Sequence, residues 1–264
     1  MTTGKIGGRS GVSGTITMEA LPHAMVHFLA ASRFGSSIVE SGTGPYVYTA
    51  SDGSDAHLKS TLRSLTIGVD RAGIGFAYLG CQATGMRLFF EDGIPVVEYT
   101  IFGLAETNDY TPGVITDPTE LPFAADEVSV DVAASTRTDI DSLEMNIDDS
   151  GSLRYNLSGQ AAADYVLFGE HMGDASFEVD FESKADYAIW KARTVQELIV
   201  EFNKSVNQIV NVEFHGALYD DFEVDLTALG DQVRASTSLR SAYDVASTAA
   251  TTIVLTTATQ VVIT

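Results

Sequence analysis

His23 and His27 stand four residues apart in PHAMVHFLAAS, a spacing that sets two imidazoles on one face of a helix and could hold zinc. Between them lie Ala, Met and Val, without the glutamate that a metalloprotease helix carries beside its first histidine, so no metal site is expected. Asp139, Asp141, Asp148 and Asp149 crowd into DIDSLEMNIDDSG. A calcium loop needs its oxygen ligands in a fixed twelve-residue order, and here a strand-like stretch separates the acids. Asp148 to Gly151 reads more simply as a hairpin turn, where Asp tolerates and Gly favours the left-handed region.

Cys81 ends the apolar run FAYLGC and reads as a small buried hydrophobe rather than a nucleophile. Ser10 and Ser13 lie among glycines in GRSGVSG, which is neither Gly-x-Ser-x-Gly nor preceded by a strand. No glycine loop followed by Lys and a helix is present to cradle phosphate. Carboxylates are so abundant that no pair stands out as an acid and base team. Asn156-Leu-Ser158 has glycosylation spacing, but the start MTTGKIGGRSG has no apolar core of a secretory signal. No catalytic residue, cofactor or metal is expected, and the chain does not read as an enzyme.

The elements that must carry any function are mostly strands. Short alternating segments rich in Val, Ile, Thr, Phe and Tyr recur between Gly, Asp, Asn and Ser: 14–19, 64–70, 96–102, 127–132, 143–148, 176–182, 197–202 and 208–214. In 176–182 the apolar Phe177, Val179 and Phe181 alternate with Glu178, Asp180 and Glu182, giving one apolar face and one carboxylate face. Two helices are expected, at 22–32 with Pro in the first turn and at 185–193 with the single Trp. Residues 35–60 are rich in Gly and Ser and read as a long loop, a type that is usually functional. Residues 108–126 hold three of the six prolines and read as a connector. SLTIGVDRAG at 64–73 lines up with SLEMNIDDSG at 142–151, suggesting a single domain over 1–264 built from pseudo-repeat halves at about 11–105 and 127–230, with a C-terminal extension at 231–264.

The 264 residues carry 36 Asp and Glu against 15 Lys and Arg, a net charge of −21. That balance excludes a surface that binds nucleic acid by neutralising phosphates. The acidity is shared by both halves, −8 over 1–132 and −13 over 133–264. One cysteine permits no intrachain disulfide, and no apolar run is long enough for a membrane helix.

In SGTITMEALPHAMVHFLAAS, in LTIGVDRAGIGFAYLGCQATGMRLFFEDGIPVVEYTIFG from Leu65 to Gly103, and in the later LEMNIDDSG, DASFEVDFE, ELIVEFN and VNVEFHGALYDDFEVDL, the chain resembles the tail tube (major tail) proteins of long-tailed bacteriophages. The resemblance rests on the order of these segments, with no single diagnostic motif, and the Thr-rich C-terminus has no counterpart in it. It implies a mainly β fold, a tail-tube sandwich or barrel with one or two flanking helices. It also implies six-membered rings in which a four-stranded inner sheet per subunit closes a barrel of 24 strands. Stacked rings would conduct viral DNA without specific binding, with tape-measure, tail terminator and baseplate or tip proteins as partners. The implied location is the virion tail, assembled in the host cytoplasm. Glu91, Asp92, Glu98, Glu178, Asp180 and Glu182 are the candidate lumen-facing acids, and 35–60 the candidate stacking segment, with the N-terminal arm and the C-terminal strand as further ones. The other reading is a β-sandwich module that binds carbohydrate or another ligand, which would require exposed aromatics on one face.

Overall fold

The computed structural model describes residues 11–52, 63–108, 110–111, 120–155, 163–181, 184–225 and 233–263. In chain order these form β1 (Val12–Glu19), α1 (Pro22–Ala30), β2 (Val39–Ser41), β3 (Tyr46–Ser51), β4 (Leu65–Arg71), β5 (Ile74–Glu91), β6 (Ile94–Gly103), β7 (Ala105–Thr107), β8 (Val128–Val132), β9 (Ser135–Arg137) and β10 (Ile140–Asp148). There follow β11 (Ser152–Arg154), β12 (Tyr165–Leu167), β13 (Met172–Asp180), α2 (Ala185–Ala192), β14 (Gln196–Ser205), β15 (Gln208–Asp225), β16 (Arg234–Ala242) and β17 (Thr251–Thr257). The fold is mainly β, with antiparallel pairing throughout the described ladders.

Two layers share one core. The wall layer runs β1-β6-β5-β10-β13-β16 and ends on the second half of β15, while β2-β3-β17, the first half of β15, β14, β8 and β9 make the cover layer. β15 crosses between them. Its first half pairs with β14 and β17, its second with β16 from Gly216 onward, with a bulge at Tyr219/Asp221. At the crossover a Cβ on Gly216 would sit 2.5 Å from the Ala242 carbonyl oxygen, so only glycine permits the approach.

The alternation read in the sequence is what fills the core. Leu198, Val200 and Phe202 of β14 are fully buried, as are Val210, Val212 and Phe214 of β15, facing Leu88, Val97, Tyr99, Met145, Phe177 and Leu239 of the wall layer. Burying each of the larger chains contributes about 1.5–3 kcal/mol. α1 plugs the gap between layers: Met25, Val26 and Leu29 are buried, and Phe28 stacks on Tyr99 at 4.6 Å between centroids. Its N-cap, Leu21, has no side chain to offer the open helix end. Glu120 does this instead, accepting from the His23 N–H at 2.9 Å.

Three expectations are corrected. Residues 35–60 are not one loop: 39–51 form the β2–β3 hairpin, and β3 pairs with β17 along its length. The many Ser and Gly masked the alternation of Tyr48 and Ala50, both buried. The rest of that segment, from 53, lies outside the described residues. Asp148 to Gly151 is not a hairpin turn, because the chain leaves the sheet there, makes the β11–β12 pair, and returns at Met172 opposite Asp148. Its look-alike at Asp70 to Gly73 does turn directly, Arg71 facing Ile74. Residues 231–264 are no extension, since they supply β16 between β13 and β15, and β17 between β15 and β3. The wall layer holds seven strands, β1 flanking it on one side and β16 and β15 on the other.

Candidate functional site

The exposed face of the wall layer is set by register. Thr17 faces Glu98, Glu98 faces Arg87, Arg87 faces Asn146, Asn146 faces Asp174, and Asp174 faces Arg240, one row across six strands. Side chains two residues away on each strand share this face. Among the described side chains, strand register therefore places ten carboxylates on it, from Glu19, Glu91, Glu98, Glu144, Asp148, Asp174, Glu178, Asp180, Asp221 and Glu223, against the three guanidinium groups of Arg87, Arg234 and Arg240.

Hydrogen bonds knit the middle of the row. Thr17 Oγ1 donates to Glu98 Oε2 at 3.2 Å, and Asn146 Nδ2 donates to both Glu144 Oε1 and Asp174 Oδ2 at 3.1 Å. Arg87 forks onto Glu144 and lies 4.5 Å over the Phe89 ring. The guanidinium holds the Glu144 carboxyl below the usual carboxylate range, and Glu144 in turn raises Arg87. Arg234 pairs with Asp141 at 2.8 Å and reaches Glu178 at 4.0 Å. Two open grooves follow the face, one lined by Arg87, Glu98, Asn146 and Asp174, the other by Arg87, Glu144, Ser176 and Glu178.

Of the six acids singled out from sequence, Glu91, Glu98, Glu178 and Asp180 fall on this face. Asp92 lies in the β5–β6 turn, where it and Gly93 have φ of 51° and 79°, the two positive values that a tight hairpin requires. Glu182 lies outside the described residues. Sequence reasoning missed Glu144, Asp148 and Asp174, although LEMNID and GDASFEVD alternate as plainly as SFEVDFE does. It also missed Arg87, which nothing local distinguishes.

The groups that could have done chemistry are placed otherwise. His23 and His27 meet edge to face at 5.8 Å between rings, and burial together with His23 lowers His27. No group of three metal-ligating side chains occurs among the described residues. Cys81 is buried, its Sγ 3.4 Å from the Tyr78 carbonyl, and burial pushes its thiol up to about 11, which disfavours the thiolate. Ser10 and Asn156 lie outside the described residues. Among the described residues, the exposed aromatics Tyr187, of α2, and Tyr243, just after β16, lie on separate parts of the chain. No described helix is long and apolar enough to cross a membrane.

A family model described as phage tail tube protein matches residues 1–205. The chain matches no curated protein.

Proposed function

The chain belongs to the phage tail tube protein family, a structural component of the virion tail, and from that premise we propose that it closes into stacked hexameric rings whose wall layer lines a conduit for viral DNA. The observation that carries this reading is the charge of the wall face, on which register places ten carboxylates against three guanidinium groups among the described side chains of one continuous sheet. Such a surface repels phosphates within a Debye length, about 10 Å in 0.1 M salt. A duplex passing it would stay centred and unbound.

The lumen barrel takes four strands from each subunit, β6, β5, β10 and β13, which carry most of the registered row. Twenty-four strands spaced about 4.8 Å give a backbone radius of about 18 Å untilted, or about 24 Å at a tilt of about 40°. Ring closure is heterologous and closes by rotation, whereas stacking is open and builds a filament. Tape-measure, tail terminator and baseplate or tip proteins complete the assembly as its partners.

The test reverses the charge of Glu178 and Asp180 to lysine in the virion and measures tube length by negative-stain microscopy and genome delivery by infection. Tubes of normal length with impaired delivery are expected. Unchanged assembly together with unchanged delivery overturns the lumen assignment.

A further inference from the structure

Residues 258–263 follow β17 without joining a sheet, yet they close part of the core on the inner side of β3. Val261 is 1% exposed and belongs to the core cluster, Ile263 packs against that cluster, and Val262 between them is 69% exposed. The segment therefore alternates in, out, in, as an extended peptide does. Its first turn is set by Thr257 Oγ1, which donates to the Thr259 carbonyl at 2.6 Å.

Side chains of the β2–β3 hairpin hold this segment. The Tyr48 hydroxyl, on a fully buried side chain, accepts from the Val261 N–H at 2.7 Å and donates to the Val261 carbonyl at 3.2 Å. Gln260 Nε2 donates to Glu40 Oε1 at 2.6 Å. Among the described residues no backbone-to-backbone hydrogen bond ties 258–263 to the rest of the protein, whereas β17 just before it has six registered pairs with β3. One hydroxyl thus replaces a ladder. Lifting the segment out breaks no sheet, but it leaves the Tyr48 hydroxyl without these partners and uncovers the seats of two β-branched side chains.

We infer that the core side of β3, around the Tyr48 hydroxyl, is a peptide-binding groove that residues 258–263 fill as a releasable strap. The ligand it takes is an extended peptide with aliphatic side chains at alternate positions, the hydroxyl pairing with the backbone N–H and C=O of the first. Beyond the chain's own strap, the partner that fits is the same segment of a second copy, because exchange of an identical element requires no new contact. The groove is complete in a single chain, so its occupancy is measurable without rings or tubes.

The test uses full-length protein. Val261→Asp puts a charge at the buried position and unseats the strap, whereas Val262→Asp puts the same charge on the exposed side. Val261→Asp is expected to melt about 4 °C or more below Val262→Asp. A synthetic peptide TQVVIT at ~1 mM, the effective concentration of a tethered segment, should raise the Val261→Asp midpoint by about 2 °C or more. It should leave Val262→Asp unmoved, since that groove is filled. Equal midpoints for the two variants overturn the groove, as does a folded Val261→Asp that ignores the peptide or an equal response from both. Should Val261→Asp fail to fold, Tyr48→Phe decides: hydrogen exchange at the Val261 amide should quicken about tenfold while β17 amides stay as they were. Unchanged exchange at Val261 overturns the strap.

Discussion

Arg87 and Glu144 clasp each other diagonally across the seam between β5 and β10, Nε donating to Oε1 at 2.8 Å and Nη2 to Oε2 at 2.7 Å. The seam is where the first part of the chain meets the second within the wall layer, through only four registered pairs, Met145 to Asp148 facing Leu88 to Gly85. A forked pair there fixes register as well as charge.

Glu144→Gln is expected to cost about 0.5–1 kcal/mol in urea unfolding, a small value because the two side chains are 44% and 33% exposed. The pH dependence has a definite sign. The Glu144 carboxyl is held below its ordinary range by Arg87, so its contribution is present above that range and is lost as pH falls through the lowered value. The difference between wild type and Glu144→Gln should therefore vanish in acid. It should also shrink in high salt. A difference that grows on acidification would refute the assignment.

Tyr99 is 1% exposed, stacks on Phe28, and its hydroxyl has no hydrogen-bond partner among the described residues. Burial alone pushes its ionisation far upward. An unsatisfied buried hydroxyl costs about 1–3 kcal/mol relative to a site without one. Tyr99→Phe keeps the ring and removes that cost, so it should leave stability unchanged or raise it by about 1 kcal/mol, seen as a higher urea midpoint at constant slope. A loss above about 1 kcal/mol would mean the hydroxyl is satisfied in solution.

The alternation of Phe177 and Val179 with Glu178 and Asp180 was enough to place both strand and face, because a half-buried strand writes its two sides into consecutive residues. The β2–β3 hairpin left no such trace. Its buried residues are only Tyr48 and Ala50, and what holds it is β17, some 200 positions later. Nor did Asp148 to Gly151 announce its excursion, since both strands that flank the end of β10, β5 and β13, come from other parts of the chain. Parity places Glu91, Glu98, Glu178 and Asp180 on one face, but not Asp92, which falls in the turn, and Arg87 was not legible, because its partner Glu144 comes from a segment that only the fold brings beside it.

α2 depends on a few aromatic contacts. It has no fully buried residue, and what attaches it to the second half of β15 is a cluster in which Trp190 and Tyr187 lie 6.4 and 6.1 Å from the Phe222 ring, with Phe181 also at 6.1 Å. Arg137 adds a polar tether, donating to Asp186 of α2 at 2.9 and 3.0 Å. Phe222→Ala removes the ring on which three others converge. Full burial of Phe costs about 3–5 kcal/mol on truncation to Ala, and this site, open on the α2 side, should cost about 2–3 kcal/mol. Because Trp190 is the single tryptophan, its emission reports this contact without interference. The variant should show red-shifted emission before global unfolding begins, while circular dichroism still reports an intact sheet. Emission identical to wild type under those conditions would show that α2 stays docked through Arg137 and Asp186 instead.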